Sequence, residues 1–77
     1  MSIGFILIKA APMLEHEVYI KLSKMKEIIE LQPLFGEYDI IAKIEAEGFE
    51  KLGEIIINKL RSVKGVIDTK TLTGTRF

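Results

Sequence analysis

Cysteine and tryptophan are absent from the 77 residues, and histidine occurs once. Without cysteine there is no disulfide and no thiolate metal site. The lone His16 has no His/Cys cluster around it, which argues against a transition-metal centre. No apolar run approaches the roughly 20 residues that a membrane span requires. The opening MSIGFILIKAAP has no basic segment ahead of its short apolar run, so it does not read as a signal peptide. The expectation is a cytoplasmic protein with no membrane contact. Neither sign of charge is in excess, with eleven basic and eleven acidic residues. Lys21, Lys24, Lys26, Arg61, Lys64 and Lys70 are interspersed with acids, so a phosphate-neutralising face and direct nucleic-acid binding are not expected.

Apolar residues, in contrast, are plentiful at 48% of the chain. A chain this short buries only about 60% of its unfolded surface, and small chains without disulfides or metals often gain stability by oligomerising. One domain, residues 1–77, is expected, with apolar surface to spare.

IGFILIKAA (3–11) is a β-branched run too short for a helix of its own and is expected to be a strand. Both alternating sets are apolar: Ile3, Phe5 and Leu7 against Ile6, Ile8 and Ala10. Such a strand is central, or its second face meets another subunit. Pro12 is suited to the first turn of a following helix. Glu15 and Glu17 lie near its positive end and Lys21, Lys24 and Lys26 near its negative end. Leu14, Val18, Leu22 and Met25 give one apolar stripe. A second strand over 27–35 contains Pro33, which cannot donate a ladder hydrogen bond and places it at a sheet edge. Gly36 turns the chain into a third strand that alternates Ile40, Ala42, Ile44 and Ala46 against Ile41, Lys43 and Glu45. A second helix with Phe49, Leu52, Ile56, Leu60 and Val63 on one face follows. Gly48 makes a weak N-cap, and Gly65 is suited to follow the C-terminus. A Thr-rich strand closes the chain.

The two halves resemble each other. Residues 21–36 align without gaps on 59–74, with six of sixteen positions identical. Paired β-α-β halves imply an α+β class: a ferredoxin-like βαββαβ sandwich, with a four-stranded antiparallel sheet and two helices on one face. The other face is left bare, and sheet-to-sheet dimerisation would cover it.

The segment LFGEYDIIAKIEA (34–46) poses the functional question. Gly36 permits a hairpin turn, and Glu37, Tyr38 and Asp39 can be ordinary turn residues. Aspartate is a poor strand former, however, and Tyr38 with Asp39 offers a hydroxyl and a charge at the sheet rim. Thr69, Thr71, Thr73 and Thr75 recur with period two and place their hydroxyls on one face, either through plain β-propensity or as a polar ladder. Hydroxyls and an aspartate meeting at an interface suit a small zwitterion, with its carboxylate on hydroxyls and backbone N–H groups and its ammonium on Asp39. No catalytic constellation or phosphate loop is visible.

GEYDIIAKI followed after a helix by INKLRSVKGVIDTKTL resembles the effector, or RAM, domain of the Lrp/AsnC family of transcriptional regulators. The family pattern Gly-x-Tyr/Phe-Asp falls on Gly36, Tyr38 and Asp39. Its Leu-x-x-apolar-x-Gly-Val falls on Leu60, Val63, Gly65 and Val66, and its Thr-x-Thr on Thr69 and Thr71. The resemblance covers nearly the whole chain. It implies sheet-mediated dimers, often assembled into octameric or decameric rings, with an amino acid bound between dimers. By position the ligand residues would be Gly36, Tyr38, Asp39, Thr69 and Thr71. Full-length members carry a helix-turn-helix DNA reader, whereas this chain begins directly at its first strand. It thus resembles the stand-alone form, a partner for full-length regulators rather than a DNA binder. Phe35 departs from the threonine often found before the glycine, and its bulk is expected to narrow a pocket there.

The expected role is an amino-acid-sensing effector and assembly module linked to transcription regulation, without enzymatic activity or cofactor. Two alternatives remain open: a ligand-free structural oligomeriser, and a small cofactor-free dimeric α+β barrel enzyme. The enzyme needs a buried titratable group, with His16, Tyr19 and Tyr38 as candidates.

Overall fold

A computed structural model describes residues 2–74. The order is β1 (Ser2–Ala10), α1 (Glu15–Ser23), β2 (Ile28–Pro33), β3 (Ile40–Ala46), α2 (Phe49–Ile55) continuing as a π-helical turn (Ile56–Leu60), and β4 (Val66–Thr73). The sheet has the order β2-β3-β1-β4, with every pair antiparallel. This is the βαββαβ sandwich that the alternation and the internal repeat imply.

Period-two alternation sorts the sheet residues as expected. Ile6, Ile8 and Ala10 of β1 and Ile40, Ala42, Ile44 and Ala46 of β3 are buried beneath the helices. Val18 and Leu22 of α1 and Leu52, Ile55, Ile56 and Leu60 from the second helical segment complete the core. On the opposite face lie Ile3, Phe5 and Leu7 of β1, Ile41 of β3 and Leu72 of β4, all partly or largely exposed. That face is mixed rather than purely apolar: Lys43 bonds Glu30 at 3.3 Å and lies 5.7 Å from the Phe5 ring centroid.

Pro33 sits on edge strand β2, opposite Ile40, as its missing N–H requires. The internal repeat is structural. Its two halves end in β2 and β4, the two edge strands, and the register slips at Ile29 in one and at Ile67 in the other. These residues occupy equivalent repeat positions, so both edges carry a bulge at the same point, a device that twists an edge away from further pairing.

Four expectations need correction. Pro12 does not begin the helix. Ala11 to Leu14 form a turn closed by the Leu14 N–H on the Ala11 carbonyl (2.9 Å), with Met13 at φ +74°. Proline at the second position and a positive φ at the third is the pattern of a type II turn, and the helix starts only at Glu15. Strand β2 is shorter than 27–35, because the chain has already left the sheet at Leu34. Gly65 is not the helix-terminating glycine, since the helical segment ends at Leu60. It turns the chain into β4 at φ +103°, and its carbonyl accepts the Ala11 N–H (2.7 Å).

The fourth correction concerns the second helix. Phe49 is 64% exposed, and Ile55 takes a core position instead. The Arg61 N–H reaches the Ile56 carbonyl five residues back (3.0 Å). A π turn accommodates an extra residue and shifts the stripe relative to ideal helical spacing. Leu52, Ile56 and Leu60 stay inward, while Phe49 stands over the β4 side.

One ion pair ties the helical layer to the edge: Lys59 of the π turn bonds Glu27, just before β2. The Lys59 ammonium beside it holds the Glu27 carboxyl below its ordinary value of 4.5. A carboxyl lowered by folding stabilises the fold above its unfolded pKa, and the contribution disappears as pH falls through the folded value. Lys59 is about half exposed (48%), so solvent screening limits the gain to less than about 1 kcal/mol. Lys59→Met should therefore lower the urea midpoint slightly at pH 7. Its difference from wild type should begin to shrink near pH 4.5 and vanish only once the pH is below the lowered folded value; a difference unchanged at acid pH would contradict the assignment.

Candidate ligand site

The β2–β3 connection, Leu34 to Asp39, lies at the end of the sheet where β1 finishes. Leu34 N–H donates to the Asp39 carbonyl (2.8 Å), closing the turn, and Asp39 N–H donates to the Ile8 carbonyl (2.9 Å). Gly36 has φ +108°, the left-handed region that a residue without Cβ occupies freely. The Asp39 carboxylate accepts the Ala10 N–H at 2.8 Å. Ala10 faces the β4 bulge on its other side, so Asp39 supplies an acceptor where the ladder is irregular. This use of Asp39 is structural, and only its second carboxylate oxygen is without a hydrogen bond among the described residues. Tyr38 is half-buried and Gly36 exposed.

The threonines are elsewhere. Thr69, Thr71 and Thr73 pair with Ile8, Ile6 and Gly4, so their side chains share the face that the helices cover. They are near its margin, because β4 is an edge strand. Thr75 lies outside the described residues. The three hydroxyl-bearing side chains form one wall of an open groove of about 370 Å³. Phe49, Leu52, Gly53, Ile56 and Ile57 form the other wall, and Arg61 lies at one end. Sequence reasoning singled out the threonines but missed the groove's opposite wall. Its signal is the exposure of Phe49 and Ile57, which only the packed structure reveals.

The two candidate sets do not converge within one chain. Gly36, Tyr38 and Asp39 are on the β2–β3 turn, while Thr69 and Thr71 face α2 across β4, with β1 in between. Phe35, expected to narrow a pocket beside Gly36 between dimers, is fully exposed in the single chain, with a relative exposure of 105%. The groove is amphipathic, with hydroxyls and a guanidinium against an apolar wall, which suits a small molecule having a polar head and a short apolar tail.

The titratable groups considered for an enzyme are not assembled. His16 is exposed, Tyr19 and Tyr38 are half-buried, and among the described residues no polar or charged residue is buried in the core. Among the described residues the helix–sheet interface holds no buried acid or base, the kind of group that proton transfer uses.

The family profile described as the Lrp/AsnC ligand binding domain matches residues 4–75. An uncharacterised HTH-type transcriptional regulator of Pyrococcus furiosus is 37% identical over 74 residues, covering 92% of this chain and 49% of the relative. The chain thus spans about half the length of the curated regulator it matches. The crystal structure of FFRP-DM1 superposes with a TM-score of 0.92 at 35% identity, covering 97% of this chain and 100% of that one. A Neisseria meningitidis transcriptional regulator solved as a complex with L-Met shares the fold, with a TM-score of 0.86 at 18% identity over 97% of this chain and 50% of that one. On the match across residues 4–75, the chain belongs to the Lrp/AsnC family, as a ligand-binding domain associated with its transcription regulators.

Proposed function

We propose that this domain senses an amino acid at a site shared between subunits and passes the signal on through its assembly with transcription regulators. The observation that carries this reading is the division of the candidate residues between two places on one chain. The acidic turn at Gly36, Tyr38 and Asp39 lies at one end of the sheet. The threonine-lined groove lies along the β4 edge. Neither half alone offers both poles of a zwitterion. The free oxygen of Asp39 suits an ammonium group, and the Thr69 and Thr71 hydroxyls, with backbone N–H groups near Gly36, suit a carboxylate. Tyr38 closes over the ligand. The L-Met complex of the Neisseria relative is consistent with an amino-acid ligand.

Dimerisation through the bare sheet face covers Phe5, Leu7, Ile41 and Leu72, and dimers then build an octameric or decameric ring. Full-length Lrp/AsnC regulators are the natural co-assembly partners, in the cytoplasm. A ligand shifts such an assembly only by as much as its affinity differs between the two states.

Native mass spectrometry with each of the twenty amino acids, at roughly millimolar concentration to detect weak sites, tests this. One amino acid retained per subunit is the expected result. It should be lost in Asp39→Asn, which removes the charge but keeps an acceptor for Ala10, and in the Thr69→Val/Thr71→Val double variant. Retention of none of the twenty by the wild-type chain would overturn the sensor and leave an oligomeriser without ligand.

A further inference from the structure

Among the described residues, neither Phe35 nor the α2–β4 groove has a partner within its own chain. Phe35 is fully exposed at the tip of the β2–β3 turn, beside the partly exposed Leu34. The groove has an apolar wall of Phe49, Leu52, Ile56 and Ile57 around about 370 Å³ of open space, ample for a phenyl ring, since an apolar cavity of about 150 Å³ already holds benzene. The order β2-β3-β1-β4 puts the turn at the β2 edge and the groove at the β4 edge, so a chain cannot fill its own groove with its own Phe35. The charges are complementary as well. Glu37 is exposed two residues from Phe35, whereas Arg61 is the one charged residue lining the groove among the described residues. Arg61 has no ion pair among the described residues.

We propose that Phe35 of one copy seats in the α2–β4 groove of a second copy, with Glu37 facing Arg61. Each copy presents one knob and one groove at opposite edges, so the contact is head-to-tail and generates a ring when its rotation closes. The contact also brings the turn of one copy, with Gly36, Tyr38 and Asp39, against Thr69 and Thr71 of the next. This deepens the shared-site reading above and rests on it for the identity of the ligand, though not for the contact itself.

Gly53 provides the test. It lines the groove, and a Cβ at this position meets nothing within 4 Å, so Gly53→Leu fills the groove without disturbing the core and favours the helix. Sedimentation velocity without any amino acid should show wild-type species larger than a dimer. Phe35→Ala and Gly53→Leu should each lose those species while keeping the far-UV circular dichroism spectrum of the wild type. An equimolar mixture should regain larger species containing both variants, because one retains the groove and the other the knob. Wild-type protein no larger than a dimer, either variant keeping the wild-type assembly, or a mixture that fails to complement would each overturn the contact. Ligand binding is measured separately. A chain that assembles through Phe35 but retains no amino acid removes the sensor and leaves the contact standing; an amino acid bound equally well by Phe35→Ala removes the shared site.

Discussion

Leu22→Ala is expected to destabilise the domain by about 2–5 kcal/mol, the range for truncating a fully buried leucine. Leu22 has no exposed surface and belongs to the core in which α1 packs on the sheet. It also occupies the repeat position equivalent to Leu60, another fully buried residue, in the second helical segment. Removing its isobutyl group loses transfer free energy and leaves a cavity between two layers that cannot easily collapse, because the β1 and β3 side chains below are held by the sheet. The whole domain is worth only about 4–12 kcal/mol at typical values per residue, so the loss should lower the thermal midpoint by roughly 8–40 °C. Leu22→Met, which conserves volume, should lose less than about 1.5 kcal/mol. All midpoints must be compared at one protein concentration, because assembly stabilises by mass action. A cost under about 1 kcal/mol for the alanine variant would show that α1 is not seated on the sheet as described.

Gly65→Ala is expected to cost about 2–4 kcal/mol for two separable reasons. Gly65 has φ +103°, where an L side chain is strained, and its Cβ would lie 2.7 Å from Val18 Cγ2 and 3.4 Å from Leu14 Cβ. Val18 is fully buried and has little room to retreat. Gly36→Ala is the control: φ is +108°, yet nothing lies within 4 Å of the added carbon. It should carry only the conformational part, about 1–2 kcal/mol. The difference between the two variants measures the clash. A Gly65→Ala/Val18→Ala double variant should then show favourable coupling, read from denaturant midpoints in a double-mutant cycle. Equal costs at Gly36 and Gly65, or purely additive behaviour in the cycle, would mean that the Val18 contact carries no energy.

The candidate site was legible in part. Asp39 stood out as a charged residue at a strand start, and the threonine period showed that Thr69, Thr71 and Thr73 share a face. Which face they share was not legible. It depends on the register of β4 against β1, where Thr71 meets Ile6 and Thr69 meets Ile8, a pairing set by residues some sixty positions apart in the chain. The hydrogen bond from Ala10 N–H to the Asp39 carboxylate spans 29 positions and gives the aspartate a structural task that no local pattern reveals. The outward position of Phe49 was hidden for a different reason. Ideal helical spacing places it on the buried stripe, but Phe49 is the first residue of α2 and stands exposed at the helix end.

By itself the sequence determined what depends on short-range periodicity and on single-residue backbone rules. These are the element order, the buried faces of β1, β3 and α1, the edge position forced by Pro33, and the two-halved repeat that implies the fold. Tertiary structure decided what depends on distant segments meeting. Cross-strand register turned the threonines toward α2, and Val18 packed against Gly65 so closely that no Cβ fits. Strand order placed the Phe35 turn and the α2–β4 groove at opposite edges. Periodicity acts over a few residues, whereas register and packing are settled only when the whole core closes at once.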